Sequence, residues 1–222
     1  MSIHARSRNP DRLADFPILT IVDVALAIPA GVATAFLVSR FAPAPRLMLA
    51  MIAACIAIAV WASLVMPAND LAPLTCLLGW ALVALSAVDA LTFRLPDVIT
   101  LPLIAAGLIA TIFLTDGDIM GHAIGACAGF IFFTAVAWAY RRLRGHDGLG
   151  LGDAKLLAGA GAWLGWAALP SVVLIACAAG LAWVCLHAAM RGRSPLAAKI
   201  PFGVPLCAAL WIVWLYGPLG LS

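Results

Sequence analysis

Long apolar runs alternate with short polar stretches along the whole chain. Turn residues or charges separate eight such runs, and most approach the roughly 20 residues that a helix needs to cross a bilayer. The sixth run is short and rich in Gly and Ala, which predicts either a tilted span packed closely against its neighbours or a half-span. The runs predict helices at about Phe16–Ser39, Leu47–Met66, Leu74–Ala90, Val98–Leu114, Ile119–Tyr140, Ala154–Leu164, Leu169–Met190 and Val204–Leu219.

The composition supports the same class of protein. Hydrophobic residues make up 65% of the 222 positions and charged residues only 10%, and the mean hydropathy is +1.09. A soluble domain averages about 45–50% apolar and about 25% charged residues. We therefore expect an all-α, polytopic transmembrane bundle of about eight spans. Residues 1–222 would form a single integral-membrane domain with no separate soluble domain.

The positions of Lys and Arg predict the topology. Basic residues occur in alternate loops, whereas the loops at 67–73, 115–118 and 165–168 contain none. By the positive-inside rule the basic loops face the cytoplasm. The orientation of the first span stays open, because the N-terminal segment is also basic. Lipids are the expected surroundings, and no basic stripe interleaved with aromatic residues suggests nucleic-acid binding. The basic loops hold Arg94, then Arg141, Arg142 and Arg144, then Arg191, Arg193 and Lys199.

The six cysteines all lie inside apolar runs. No pair forms a CxxC sequence, and no nearby His completes a zinc set. We expect them to be small buried apolar residues, with no disulfide framework and no metal site. They are Cys55, Cys76, Cys127, Cys177, Cys185 and Cys207.

Two carboxylates at the ends of apolar runs are candidates for catalysis. A charged residue within or at the edge of a span is costly and therefore a functional candidate. Asp89 ends the third run and Asp153 begins the sixth, and the predicted topology places both at the cytoplasmic face. Two carboxylates that meet in a dry site share a proton, so one can activate water while the other donates to a substrate carbonyl. Of the two, Asp153 at a helix start is the expected base and Asp89 near a helix end the expected acid.

Three alternating glycines precede Asp153, and a further motif closes the pattern. Gly148, Gly150 and Gly152 leave the backbone free to take positive φ and let it pass close to a bound peptide. The segments DALTFRLPDVITLPL, GLGLGDAKLLAGAGAWLGW and IPFG, in this order, closely resemble the type IV prepilin peptidase family. The resemblance covers about Ser86 to Gly203.

That resemblance implies an integral-membrane aspartic endopeptidase of the bacterial inner membrane. Such enzymes remove a short basic leader from prepilins and pseudopilins at the cytoplasmic face, in type IV pilus and type II secretion systems. It implies Asp89 and Asp153 as the catalytic pair, with Gly150, Gly152 and Lys155 in the GxGDxK motif.

The chain departs from this pattern in one important connection. Many family members carry a long loop with two cysteine pairs after the first span and also methylate the new N-terminus. Here the connection is the short stretch from Arg40 to Arg46, which contains no cysteine. We therefore predict cleavage without methylation and without a cofactor, since S-adenosylmethionine would be needed only for methyl transfer. A smaller departure is Val204, where the family commonly has proline.

The remaining polar residues carry weaker predictions. Asp97 is expected to cap the fourth helix after the chain break at Pro96. Lys155, two positions after Asp153, faces nearly the opposite side of its helix, and both a lipid headgroup and the substrate are possible partners. In addition, the glycine-rich loop places His146 and Asp147 near a bound substrate, whereas Asp23, His122 and His187 are expected to be structural.

Two other functions compete with this interpretation. Presenilin-type proteases also use GxGD, but they pair it with Tyr-Asp, whereas Val88 precedes Asp89 here. A proton-coupled transporter would be expected to show repeated halves and carboxylates near the midplane, and neither is visible.

Overall fold

The computed structural model describes residues 16–40, 47–66, 71–113, 118–145, 150–191 and 201–220. These residues form eight α-helices and a short 3₁₀ turn, with no β-strand among them. The helices are α1 (Phe16–Ser39), α2 (Leu47–Val65), α3 (Ala72–Thr92), α4 (Asp97–Phe113), α5 (Ile119–Arg144), α6 (Leu151–Leu164), α7 (Leu169–Arg191) and α8 (Gly203–Tyr216), and the 3₁₀ turn is Trp166–Ala168.

The predicted helical segments are confirmed, most of them to within a few residues. A continuous apolar run in a bilayer must satisfy its own backbone hydrogen bonds, and the α-helix does so within a single segment. Four helices of the described chain are long and apolar enough to cross a membrane, which identifies an all-helical membrane protein. They are Met48–Val65, Ala72–Thr92, Ile119–Arg144 and Trp166–Leu186.

The chain divides into two compact units, with the boundary inside α3. In the first unit, Met1–Ala84, α1 packs closely on α2. A Cβ at Gly31 would lie 2.5 Å from the Ile52 Cα, so only glycine permits this approach. The Trp80 indole N–H donates to the carbonyl oxygen of Cys55 at 3.2 Å, which ties α3 to α2 within the same unit.

The second unit, Leu85–Ser222, is built around α6. This helix is buried along nearly all of its length, as its small residues predict. It approaches α5 backbone to backbone, since a Cβ at Gly125 would lie 2.8 Å from the Gly161 carbonyl oxygen. Trp163 joins α6 to α4 and α8. Its indole N–H donates to the Leu103 carbonyl oxygen on α4 at 2.8 Å, and its ring packs edge-on against Trp214 of α8 with 5.4 Å between centroids.

The prediction that all six cysteines are buried is wrong for three of them. Cys127, Cys177 and Cys185 are exposed, whereas Cys55, Cys76 and Cys207 are buried. A thiol behaves as a small apolar group, and in a membrane protein an exposed helix face between its ends contacts lipid, so an apolar run does not distinguish core from surface.

Candidate active site

The turn between α3 and α4 has an unusual backbone. Phe93 follows the last residue of α3 with φ of 54°, a left-handed conformation that a bulky residue rarely adopts. Its N–H donates to the Asp89 carbonyl oxygen at 2.8 Å. The Thr92 hydroxyl contacts the carbonyl oxygens of Val88 at 2.8 Å and of Arg94 at 3.3 Å, which holds the turn closed. The chain therefore leaves α3 in a tight turn four residues after Asp89.

Asp89 lies in the last turn of α3, with its side chain only 5% exposed. The carboxylate is directed at the start of α8, where the N–H groups of Gly203 and Val204 interact with it. These contacts do not complete its hydrogen bonding, because Oδ2 is buried without a partner within hydrogen-bond distance and angle among the described residues. A Cβ at Gly203 would lie 2.7 Å from Oδ2, so the carboxylate packs directly over that glycine.

Asp153 lies in the first turn of α6, which begins at Leu151 rather than at Ala154. Its side chain is 9% exposed. The Asp153 N–H donates to the Gly150 carbonyl oxygen at 3.1 Å, and the Gly150 N–H donates back to Asp153 Oδ2 at 3.4 Å. This is the acidic half of a capping box, since glycine has no side chain to complete the other half. The carboxylate therefore folds back on the start of its own helix.

The structure brings these two carboxylates together, as the sequence predicts. Asp89 and Asp153 are close enough for electrostatic repulsion between them. The buried thiol of Cys207, one turn into α8, lies within electrostatic range of both and pairs with Ser86 of α3. α3, α6 and α8 thus each contribute to one buried site.

The described glycines of this motif, Gly150 and Gly152, do not use the positive φ that glycine permits. Gly150 has φ of −82°, and Gly152 is helical and not among the glycines of positive φ. Gly152 is instead required by close packing, because a Cβ there would lie 2.8 Å from the Leu95 Cβ. A Cβ at Gly150 would be 3.7 Å from Asp153 Oδ2, an ordinary contact. Gly148 lies outside the described residues.

Lys155 pairs with Asp97 of α4. Its Nζ lies 2.5 Å from Asp97 Oδ1, and the two side chains are 25% and 57% exposed. The prediction that Asp97 caps α4 is wrong, because the helix already begins at Asp97. The carbonyl oxygen of Pro96 accepts the N–H groups of Ile99 and Thr100. The Asp97 side chain is thus free to bind a cation from α6.

The other polar residues lie away from Asp89 and Asp153, or outside the residues that the structure describes. His122 lies near the start of α5, where its Nδ1 is 2.9 Å from the Ala162 carbonyl oxygen at the far end of α6. His146 and Asp147 lie outside the described residues, as do the side chains of Asp23 and His187. Among the described residues, no group of three or more His, Cys, Asp or Glu side chains could hold a metal ion.

Sequence reasoning missed three residues at the site: Leu95, Gly203 and Cys207. Leu95 is buried between the two halves of the site, where its Cδ1 would be 3.4 Å from a Cβ at Gly152 and 3.2 Å from one at Gly203. An apolar residue before Pro96 and a glycine in IPFG gave weak signals for two of them. No sequence signal distinguishes Cys207 from the other cysteines.

Comparisons with known proteins match the part of the chain that contains this site. The profile of the type IV leader peptidase family matches residues 76–185, which include both carboxylates. A prepilin leader peptidase/N-methyltransferase of Burkholderia pseudomallei is 50% identical over 129 residues, covering 58% of this chain and 41% of that protein. Proteins with the same description from Aeromonas hydrophila and Pseudomonas aeruginosa are 42% and 38% identical over 144 and 141 residues, in each case covering 64% of this chain and 48% of the relative.

The aligned region thus spans less than half the length of these relatives. No solved structure matches the chain. The matched segment contains α6, the whole connection from α3 to α4 and both carboxylates. Through residues 76–185, the chain belongs to the type IV leader peptidase family.

Proposed function

We propose that this protein is a membrane aspartic endopeptidase that cleaves the N-terminal leader from prepilins and pseudopilins. The observation that carries the proposal is the pairing of Asp89 and Asp153, two buried carboxylates held by different helices at one site. The family membership supports the same substrate class, as do the relatives, which are prepilin leader peptidases by name.

In the proposed reaction the pair divides two tasks. Asp153 carries the negative charge and takes a proton from water, whereas Asp89, whose buried Oδ2 has no hydrogen-bond partner among the described residues, holds the proton. The water oxygen attacks the scissile carbonyl carbon while Asp89 donates its proton to the carbonyl oxygen. The tetrahedral intermediate then collapses and the C–N bond breaks. The leaving nitrogen takes up the proton held by Asp153, and Asp89 recovers its own from the intermediate.

The proposed setting is the bacterial inner membrane, with the site facing the cytoplasm. Arg94 follows α3, and Arg141, Arg142 and Arg144 lie in the last turns of α5, so the helix ends nearest the two carboxylates are basic. This arrangement fits the positive-inside rule. We propose that all eight helices span or enter the membrane as one peptidase domain, with the shorter ones accommodated by local thinning of the bilayer.

We further propose that the protein cleaves without methylating its product. The relatives carry N-methyltransferase in their description, but the connection from Arg40 to Arg46 holds no cysteine. No step of the proposed cleavage needs a cofactor. Mass spectrometry of a prepilin processed in the presence of S-adenosylmethionine distinguishes the two cases, and an N-methylated product would overturn this part of the proposal.

Cleavage itself is tested with purified protein in lipid vesicles and full-length Burkholderia pseudomallei prepilin. The proposal expects a mature product with a single new N-terminus. It also expects loss of cleavage in Asp89→Asn and Asp153→Asn variants, which keep the size of each side chain. Cleavage that persists in both variants would overturn the proposed mechanism. Failure of the unsubstituted (parent) protein to cleave the prepilin would overturn the proposed substrate class.

A further inference from the structure

Leu95 contacts both glycines that adjoin the carboxylates. A Cβ at Gly152, next to Asp153, would lie 2.8 Å from the Leu95 Cβ and 3.4 Å from its Cδ1. A Cβ at Gly203, beneath Asp89, would lie 3.2 Å from the same Cδ1. One isobutyl group therefore fills the space between the start of α6 and the start of α8.

The backbone around Leu95 fixes where this side chain lies. On its N-terminal side, the left-handed Phe93 and the Thr92 hydroxyl close the turn. On its C-terminal side, Pro96 has a restricted φ and directly precedes α4, which begins at Asp97. Leu95 is only 9% exposed, so it is enclosed by protein rather than presented to substrate.

We propose that Leu95 is a positioning residue that sets the separation of Asp89 and Asp153 by acting as a spacer between Gly152 and Gly203. The inference rests on the proposed peptidase function. Close-packed interiors transmit small changes in volume. Removal of the Leu95 Cδ atoms therefore allows the distance between the start of α6 and the start of α8 to change. The two carboxylates move with them, because each is attached to or packed on one of the two glycines.

The first test compares Leu95→Val with Leu95→Met. Valine keeps the Cβ but removes the Cδ atoms that reach both glycines, whereas methionine keeps an apolar group of that reach. A displacement of about 1 Å at a catalytic group costs up to about 100-fold in rate. We expect kcat for B. pseudomallei prepilin to fall on the order of 10- to 100-fold in Leu95→Val, with KM little changed, and to stay near the parent value in Leu95→Met. Leu101→Ala, at a 52% exposed position of α4, is the matched control.

The pH dependence separates positioning from a general loss of stability. Two carboxylates that share a proton titrate as a coupled pair, and the width of their pH–rate profile reflects their separation. If Leu95 only stabilised the fold, its substitution would lower the amount of folded enzyme. The pH–rate profile of the remaining folded enzyme would keep its width. We expect a profile of altered width in Leu95→Val, measured at equal amounts of folded protein, and an unaltered profile in Leu101→Ala.

A double-mutant cycle tests the contact itself. Gly152→Ala should be strongly impaired, because its Cβ meets the Leu95 Cβ. The double variant Gly152→Ala/Leu95→Gly lacks the Leu95 Cβ and so removes this clash. Its loss of kcat/KM should therefore be smaller than the product of the two single losses, by a factor of about ten. The proposal would be overturned if the losses of kcat/KM in the two single variants simply multiplied in the double variant. It would also be overturned if Leu95→Val kept the kcat and the width of the pH–rate profile of the parent protein. If the parent protein leaves the prepilin intact, it is the proposed function that fails.

Discussion

Lys155 Nζ lies 2.5 Å from Asp97 Oδ1 and joins the start of α6 to the first turn of α4. Both side chains are partly exposed, at 25% and 57%, so solvent screens the pair and its contribution to stability is only about 0–1 kcal/mol. Its effect on activity can be larger, because Lys155 is two residues from Asp153. The pair holds the turn that carries Asp153 against the connection that carries Leu95.

We therefore predict that Asp97→Asn and Lys155→Gln reduce kcat by similar factors of several-fold, with little change in thermal stability. Because the two residues act through one contact, the double variant should be no worse than either single variant. Steady-state kinetics on the prepilin check this, with Asp97→Lys/Lys155→Asp as the charge-reversed control. If Lys155 instead contacts substrate, its variant alone would raise KM and the Asp97 variant would remain normal.

Gly203→Ala is predicted to inactivate the enzyme while leaving it folded. The new methyl group would lie 2.7 Å from Asp89 Oδ2 and 2.8 Å from its Cγ, so the carboxylate must move. We expect a loss on the order of 10- to 100-fold in kcat. Gly180→Ala is the matched control, since a Cβ there is 3.8 Å from its nearest neighbour. Equal activity in the two variants would show that Asp89 tolerates displacement.

The helices could be predicted from sequence because each is an uninterrupted apolar run, and α1 begins and ends where its run does, at Phe16 and Ser39. Asp89 and Asp153 could be chosen as candidates because a carboxylate beside such a run is costly. Gly203 could not, because its role depends on α8 starting beneath a residue of α3. This contact also changes the electrostatics: Asp89 is near the end of its own helix but faces the start of another, so a single helix dipole does not describe its environment.

His122 is predicted to stabilise the end of the bundle opposite the carboxylates. Its Nδ1 lies 2.9 Å from the Ala162 carbonyl oxygen and 3.1 Å from the Thr111 hydroxyl, which itself donates to the Gly107 carbonyl oxygen. Both partners therefore accept, and Nδ1 carries the hydrogen. His122→Ala removes this link between α4, α5 and α6.

We expect a loss of about 1–3 kcal/mol, seen as a lower melting temperature in detergent. The kcat should remain unchanged at temperatures where the protein is folded, because Ala162 is nine positions from Asp153, roughly 13 Å along α6. Met120→Ala, at a 65% exposed position two residues before His122, is the control. A large change in kcat for His122→Ala would contradict a purely structural role.

The proposed topology is checked by thiol labelling in a variant without native cysteines. Arg144→Cys, at the end of α5, should react only after the inner membrane is permeabilised, whereas Ala167→Cys, in the turn after α6, should react with an impermeant reagent from outside. Both positions are exposed in the structure. The reverse pattern would place Asp89 and Asp153 on the wrong face for a cytoplasmic leader.

The pH dependence of cleavage tests whether Asp89 and Asp153 work as one acid and one base. In acid both carboxylates are protonated, so neither can take a proton from water. In alkali both are ionised, so neither can donate to the carbonyl oxygen. We therefore predict a bell-shaped profile of kcat/KM in the parent enzyme, whose two limbs belong to the pair rather than to either residue.

Asp89→Asn and Asp153→Asn should show no activity at any pH, because each leaves only one of the two functions. Tm measured across the same pH range shows whether a limb reflects unfolding. A folded enzyme whose activity rises to a plateau in alkali would contradict the need for a protonated carboxyl group, and the assignment of Asp89 as the acid would then be wrong.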